Sequence, residues 1–303
     1  MLSFLPHGIR GLLVILLMIC STLIQFPFLM AAALLKLCIP WKPSRTLFTK
    51  VVTAIAFNWI RFNSFLLGLV TKRDWVVEGA EGLNKQEWYL ITCNHQSWAD
   101  ILIVQNVLLD RAPFLKFFLK QELIWVPIIG IAWWALDFPF MKRFSKAQLE
   151  RNPEWKGKDL ETTRKACEKF RFTPVSVFNF MEGTRYTPEK YRKQQSPYKH
   201  LLKPKAGGAA FVLGAMGDEL KTMLNMTIYY PYSNPGFWEL ICGKIEKVYV
   251  HIETLQIPEA FLNKDYPNDE LFREAFQQWV SNLWFNKDAL LESLEEQYGK
   301  RQL

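Results

Sequence analysis

Residues 11 to 35 form an apolar run without one charged side chain. At helical rise the run covers about 37 Å, enough to cross a bilayer. Pro27 lies inside it and predicts a kink. A second apolar run, 47 to 70, is interrupted by Lys50 and Arg61. Its polar residues Asn58, Arg61 and Ser64 recur at helical spacing, the pattern of an interfacial helix rather than a clean span. Basic residues flank both runs: Arg10 before, Lys36, Lys42 and Arg45 between, Lys72 and Arg73 after. Two full spans would put the middle cluster on the far side, against the positive-inside tendency. The expectation is one span or a half-buried hairpin. A cleaved signal peptide ending near Ala31 to Ala33 fits less well, because the run is long and only Arg10 precedes it.

From residue 74 the pattern changes to alternating short apolar runs and amphipathic stretches. Trp88 to Cys93 reads as a buried strand, followed by an apolar helix from Ile101 to Leu109. Residues 142 to 172 are polar, with an amphipathic helix at 158 to 170. Pro174 to Phe180 and Met226 to Pro231 read as further strands, with a small apolar helix at 206 to 216 between them. Phe237 to Thr254 predicts one or two strands turning near Gly243, and 268 to 298 one or two helices with Asn268 or Asp269 as N-cap. Strands alternating with helices imply α/β architecture, a mixed and mostly parallel sheet flanked by helices. The predicted division is 1–73, a helical membrane anchor, and 74–303, the α/β domain.

Composition narrows the choice of partner. The chain of 303 residues has a net charge of +8, with 12 Trp and 23 Phe. A basic, aromatic-rich chain suits an anionic partner at a membrane. Nucleic acid is not expected, since no nucleic-acid motif accompanies the charge. The five cysteines, Cys20, Cys38, Cys93, Cys167 and Cys242, are odd in number and form no C-x-x-C pair, which argues against a disulfide framework or a zinc site.

Two constellations carry candidate chemistry. Asn94-His95-Gln96-Ser97-Trp98-Ala99-Asp100 joins the first strand to its helix, where α/β sheets build sites. His95 and Asp100 would point about 140° apart on one helix, so their contact requires His95 in the loop and Asp100 in the first turn, after Ser97 as N-cap. In that arrangement His95 is a general base oriented by a carboxylate. Alternatively Ser97-x-x-Asp100 is a capping box and His95 an ordinary loop histidine. The second constellation, Phe180-Met181-Glu182-Gly183-Thr184-Arg185, follows a strand. Its turn N–H groups and guanidinium suit a phosphate; the alternative is a solvated loop arginine.

Together these blocks resemble the glycerolipid acyltransferase family, typified by the 1-acyl-glycerol-3-phosphate acyltransferases. Between them, Glu122-Leu123, Pro127, Gly130 and Phe138 to Arg143 resemble the family's Pro–Gly block ending in an arginine; after them, Lys205 to Gly208 resemble its next landmark and Thr227 to Pro231, loosely, its late strand with a proline. Residues 279 to 298 are similar to the tail of the lysocardiolipin acyltransferase branch, in its bacterial inner-membrane form. The resemblance implies acyl transfer from acyl-CoA or acyl carrier protein to a lysophospholipid such as lysophosphatidic acid, with the catalytic domain on the cytoplasmic face. His95 would be the base and Asp100 its orienting partner. Arg185, with Gly183, Thr184 and Arg143, would hold the acceptor phosphate; Glu182 would order this loop or bind acceptor hydroxyls. No metal, cofactor or covalent intermediate is implied. The chain departs from the pattern at Phe180-Met181, where Phe-Pro is usual, and at Tyr186, where Ser is frequent.

Other candidates weigh less. Cys93 is read as a buried strand cysteine rather than a nucleophile, and His7, His200 and His251 as structural or surface residues. Residues 186 to 205 carry six Lys/Arg and one Glu, suited to anionic headgroups or donor phosphates. Trp125, Trp133 and Trp134 are candidates for an acyl groove, for core or for membrane contact. A lipid hydrolase using the same His–Asp pair, and a non-catalytic membrane scaffold, are the rival functions.

Overall fold

The computed structural model of the chain describes residues 2, 4–39, 41–71, 74–141, 151, 158–171, 173–231 and 236–299. Arg143, expected at the acceptor phosphate, lies outside them.

The two N-terminal apolar runs are long helices, α1 (His7–Cys38) and α2 (Lys42–Val70). The α/β region runs β1 (Asp74–Glu78), β2 (Tyr89–Cys93), α3 (Ala99–Leu108), β3 (Leu115–Phe117), β4 (Leu119–Lys120), a 3-10 turn (Gln121–Trp125), α4 (Ile129–Ala135), β5 (Phe140–Met141) and α5 (Lys158–Phe170). It continues with β6 (Ser176–Asn179), α6 (Pro188–Gln194), α7 (Gly207–Met216), β7 (Thr222–Tyr229), α8 (Phe237–Ile241), β8 (Lys247–Gln256) and α9 (Glu270–Tyr298).

Six strands form the main sheet in the order β1-β8-β7-β2-β6-β3. Among the described residues, only the β7–β8 pairing in this sheet is antiparallel. Every residue of β2 is buried, as a central strand covered on both faces requires. Its side chains alternate between two cores. Tyr89, Ile91 and Cys93 belong to the core that also holds residues of α1, α2, α3 and α8; Leu90 belongs to the one that holds residues of α5, α7 and α9. β2 and β6 are parallel neighbours, with Thr92 opposite Asn179. The loops that follow them, one starting at Asn94 and the other at Phe180, therefore leave the same edge of the sheet.

The stretch from Phe237 departs from the expected strands. Residues 237–241 are a helical turn that buries Leu240 and Ile241; only 247–256 is strand. A five-residue stretch of four apolar residues and Glu239 has no period long enough to tell the two apart. The turn at Gly243 is present, with φ of +75°. A Cβ there would lie 2.2 Å from the Val70 carbonyl, so the end of α2 can close on this position only if it is glycine. The tail is one helix, its N-cap Asp269 accepting from the Phe272 N–H at 2.9 Å.

α1 and α2 pair as an antiparallel hairpin, Thr22 accepting from Trp59 Nε1 at 2.9 Å. Each is long and apolar enough to cross a membrane. Yet both ends of α1 rest on the α/β domain. Near its start, His7 Nδ1 lies 3.1 Å from the Cys242 carbonyl; near its end, Lys36 pairs with Asp137. The face toward the domain buries Val14, Leu29, Ala32 and Ala33. The opposite face exposes Leu12, Leu16, Ile19 and Leu23 at three- to four-residue spacing.

Candidate active site

The loop after β2 is fixed to the sheet through Asn94. Its carboxamide accepts from the Ile228 N–H at 2.8 Å and donates to the Ile228 carbonyl at 2.9 Å, completing a hydrogen-bond pair where the strand ladder ends. His95 then stands in the loop and Asp100 in the first turn of α3. Asp100 Oδ2 lies 2.9 Å from His95 Nδ1, and also accepts the N–H groups of Gln96 at 2.7 Å and Ser97 at 2.9 Å. Ser97 Oγ in turn accepts from the Ala99 N–H. The capping and orienting readings of Asp100 thus coexist on one oxygen. The bond to carboxylate makes Nδ1 the protonated nitrogen and leaves Nε2 as acceptor. The imidazole also stacks on Phe180, centroids 3.8 Å apart and planes 15° apart, which fixes its tilt.

Tyr230 is a site residue that the sequence pattern does not reveal. Its hydroxyl donates to Asp100 Oδ1 at 2.5 Å, so the fully buried carboxylate has both oxygens satisfied. Burial, followed by the adjacent Asp100, pushes the Tyr230 phenol well above its usual range, keeping it protonated and donating.

Glu182 is also fully buried. Its carboxylate spans two loops, accepting from the His95 N–H at 2.9 Å and the Leu202 N–H at 3.1 Å. Burial pushes its carboxyl up to about 8. It is not among the groups lining the cavity described below, unlike its neighbours Gly183, Thr184 and Arg185. The His95 carbonyl accepts from the Tyr186 N–H at 2.7 Å, a second tie between the β2 and β6 loops. Gly183 adopts φ of +69° to turn this loop. Lys190 Nζ reaches Thr184 Oγ1 at 2.7 Å and the Arg185 carbonyl at 3.0 Å. The guanidinium of Arg185 lies 4.9 Å over the Trp98 ring.

One cavity of about 560 Å³ runs from these groups into the interface with the N-terminal hairpin. His95, Gly183, Thr184 and Arg185 line one part of it. Mainly apolar residues of α1, α2, α3 and α4, such as Leu29, Ile55, Leu102 and Trp133, line the rest, with the polar Thr22, Gln25 and Gln105 among them. Lys120 also lines it, a basic group unnoticed in the sequence although it sits two residues before Glu122. Of the tryptophans singled out, only Trp133 lines the cavity; Trp125 and Trp134 are exposed.

The remaining candidates resolve as follows. Cys93 is buried with its thiol pushed well above the usual range by that burial, unsuited to nucleophilic attack. Behind it Lys287, buried and lowered to about 8, donates to the Met226 carbonyl and to Thr227 Oγ1 at 3.0 Å. His200 does have acidic partners, brought by α9: its Nε2 lies 2.9 Å from Glu292 and 3.9 Å from Glu295. His251 lies 3.4 Å from Glu78.

Comparison with known proteins gives a consistent answer. The acyltransferase family model matches residues 74–228, just over half of the chain. An uncharacterized acyltransferase of Schizosaccharomyces pombe is 24% identical over 223 residues, 68% of this chain and 60% of that protein. The mouse 1-acyl-sn-glycerol-3-phosphate acyltransferases gamma and delta are 26% and 27% identical, over 60% and 67% of this chain and 46% and 52% of theirs. The chain thus spans less than two thirds of the length of these relatives. The crystal structure of the 1-acyl-sn-glycerophosphate acyltransferase PlsC from Thermotoga maritima superposes with a TM-score of 0.52 at 20% identity, over 91% of this chain and 97% of that one, and shares the fold.

Proposed function

This chain belongs to the acyltransferase family, and on that premise we propose that it transfers a fatty acyl group from a thioester donor to the hydroxyl of a phosphate-bearing lysolipid. The observation that carries the proposal is the shared cavity, lined by His95 and Arg185 at one part and mainly by apolar residues in the rest.

In this reading the acceptor hydroxyl binds beside His95 and gives its proton to Nε2 as its oxygen attacks the thioester carbonyl. Asp100 keeps the ring oriented through Nδ1–H and offsets the positive charge that develops on it, and Tyr230 holds the carboxylate in turn. Collapse of the tetrahedral adduct breaks the C–S bond, and the imidazolium returns the proton to the departing thiolate. Arg185, Thr184 and the Gly183 backbone bind the acceptor phosphate, with Lys120 as a second cation lining the cavity. Glu182 holds the two loops together. The acyl chain lies among the apolar residues of the channel. Donors are acyl-CoA or acyl carrier protein, and the acceptor is lysophosphatidic acid or, by the resemblance of the tail, a lysocardiolipin-type headgroup.

The same reading covers location. Because α1 is docked at both ends, the hairpin rests in one leaflet with its exposed stripe in lipid, and the α/β domain sits on the cytoplasmic face of a bacterial inner membrane.

The test is product analysis with purified protein in detergent micelles, acyl-CoA or acyl carrier protein, and lysophosphatidic acid. Acylated acceptor is expected, with His95→Ala slower by about 10²–10⁴-fold. Free fatty acid released at the same rate without acceptor would make the protein a hydrolase. Undiminished transfer by His95→Ala would remove the proposed base.

A further inference from the structure

We infer that the segment Leu123–Leu136, which belongs to the α/β domain and not to the N-terminal hairpin, is itself a lipid-contacting element and forms the wall between the acyl cavity and the leaflet. These 14 residues, LIWVPIIGIAWWAL, contain no charged or polar side chain. That is too few to span a bilayer, and Pro127 breaks them into the 3-10 turn and α4. α4 is apolar on both faces. Ile129, Ala132, Trp133 and the following Leu136, at helical spacing, line the cavity. Ile131 and Trp134, three apart, point the other way and are each 44% exposed, and Trp125 is 83% exposed. A helix that is apolar all round needs apolar cover on both sides. Here the described residues supply only one.

What covers the outer side follows from continuity. α4 packs on the C-terminal half of α1 beside Leu29, Ala32 and Ala33. The exposed residues of that half of α1, Phe28, Leu34, Leu35 and Leu37, extend the apolar surface past α4. The segment is also built for a water-poor setting, because its backbone donors are satisfied locally. Val126, Ile129, Gly130 and Ala132 N–H groups reach the carbonyls of Leu123, Pro127, Val126 and Ile128. A Cβ on Gly130 would fall 2.3 Å from the Ile124 carbonyl, so only glycine lets the 3-10 turn fold down on α4. Tryptophans on the rim of an uncharged segment are the usual signature of seating at the headgroup level.

The occupant is therefore a bilayer leaflet, and α4, one helix thick, is the partition between its acyl chains and the cavity. A lysolipid entering from the leaflet passes at this wall. This last consequence rests on the acyl-transfer reading; the lipid contact does not.

The test uses full-length protein in phosphatidylcholine–phosphatidylglycerol vesicles. Ile131→Cys carries an environment-sensitive probe, in a background with the exposed Cys20 and Cys38 replaced by serine. A matching probe at Gln278→Cys, exposed on α9 away from the hairpin, is the reference. Lipids brominated near the headgroup end of the acyl chain should quench the probe at 131 by about twofold or more, and the probe at 278 hardly at all. Equal quenching at the two positions overturns the inference. So does an unquenched probe at 131 in a protein that sizes as a dimer, which would mean a second copy covers the face. In a second arm, Trp125→Glu combined with Trp134→Glu should lower turnover of vesicle-embedded lysolipid by about tenfold and leave a short-chain, freely dissolved lysolipid within about twofold. Trp125→Ala with Trp134→Ala should show the same contrast more weakly. Equal loss on both substrates in both variants contradicts entry at this wall. Wild-type protein inactive on both substrates would defeat the acyl-transfer reading and leave the quenching result standing.

Discussion

Tyr230 donates its hydroxyl to the one oxygen of Asp100 that His95 does not use. The two contacts hold the carboxylate from opposite sides, and Asp100 has no exposed surface from which water could take the place of either. A buried acceptor left without its donor costs about 1–3 kcal/mol. Tyr230→Phe is therefore expected to lower kcat about tenfold with little change in KM for either substrate, because in the proposed mechanism it misorients His95 and leaves the binding groups intact. Steady-state kinetics check this. A raised acceptor KM with unchanged kcat would mean that Tyr230 acts on binding instead.

Trp98 offers its ring to the guanidinium of Arg185 at 4.9 Å. A cation–π contact at an exposed site contributes about 0.5–1 kcal/mol. Trp98→Ala should raise the acceptor KM by about two- to fivefold and leave donor KM unchanged. Trp98→Phe, which keeps an aromatic face, should recover most of the loss.

Lys116 is buried among Phe114, Phe138 and Phe170, and donates to the Leu136 carbonyl beside the cavity. Burial lowers it from 10.5 to about 7. Between those values the unfolded chain holds the proton that the folded chain has lost, so stability rises with pH across pH 7 to 10.5 and the cost of the charge is full below 7. Lys116→Met should be more stable than wild type at pH 6 by about 1–4 kcal/mol, an advantage that shrinks toward pH 10. Denaturant unfolding in detergent at several pH values measures it. An advantage constant with pH would show that the ammonium is not the cause.

Asp288 reaches across from α9 to accept the N–H groups of Lys199 and His200, each at 2.7 Å. Two residues further, Leu202 N–H holds Glu182, which holds His95 N–H. Asp288→Ala should therefore reduce activity by about three- to tenfold through the loop, although no atom of Asp288 lines the cavity. Faster hydrogen exchange at residues 196–204 would accompany the loss; an unchanged exchange rate would contradict the route.

The parts of this arrangement that a reader of the sequence can find are those encoded locally. His95 and Asp100 are five residues apart at a strand-to-helix turn, where rotation per residue shows that a contact needs His95 in the loop and Asp100 in the first helical turn. Glu182 to Arg185 follow a strand in the same way. Their meeting depends on β2 and β6 being parallel neighbours, which the α/β pattern permits but does not require. Tyr230 was hidden because Met226 to Pro231 reads as strand and, loosely, as the family's late strand with a proline, neither of which singles out the phenol. Nothing in that pattern says the chain continues past Tyr229 and turns a phenol onto a carboxylate 130 residues away. Glu292 and Asp288 meet the loop at His200 because a 29-residue helix lies across the sheet, and long-range docking of that kind leaves no periodic trace.

The phosphate preference of single variants tests the central relationship most directly. The measurement is kcat/KM for lysophosphatidic acid relative to the monoacylglycerol that lacks its phosphate, in wild type, Arg185→Ala and His95→Ala. If one lysolipid is held at its phosphate by Arg185 and deprotonated by His95 in a single cavity, wild type prefers the phosphate-bearing acceptor. Arg185→Ala then loses about 10–100-fold of that preference, and the residual activity of His95→Ala keeps it. A preference that survives intact in Arg185→Ala would place the phosphate elsewhere and contradict the shared site.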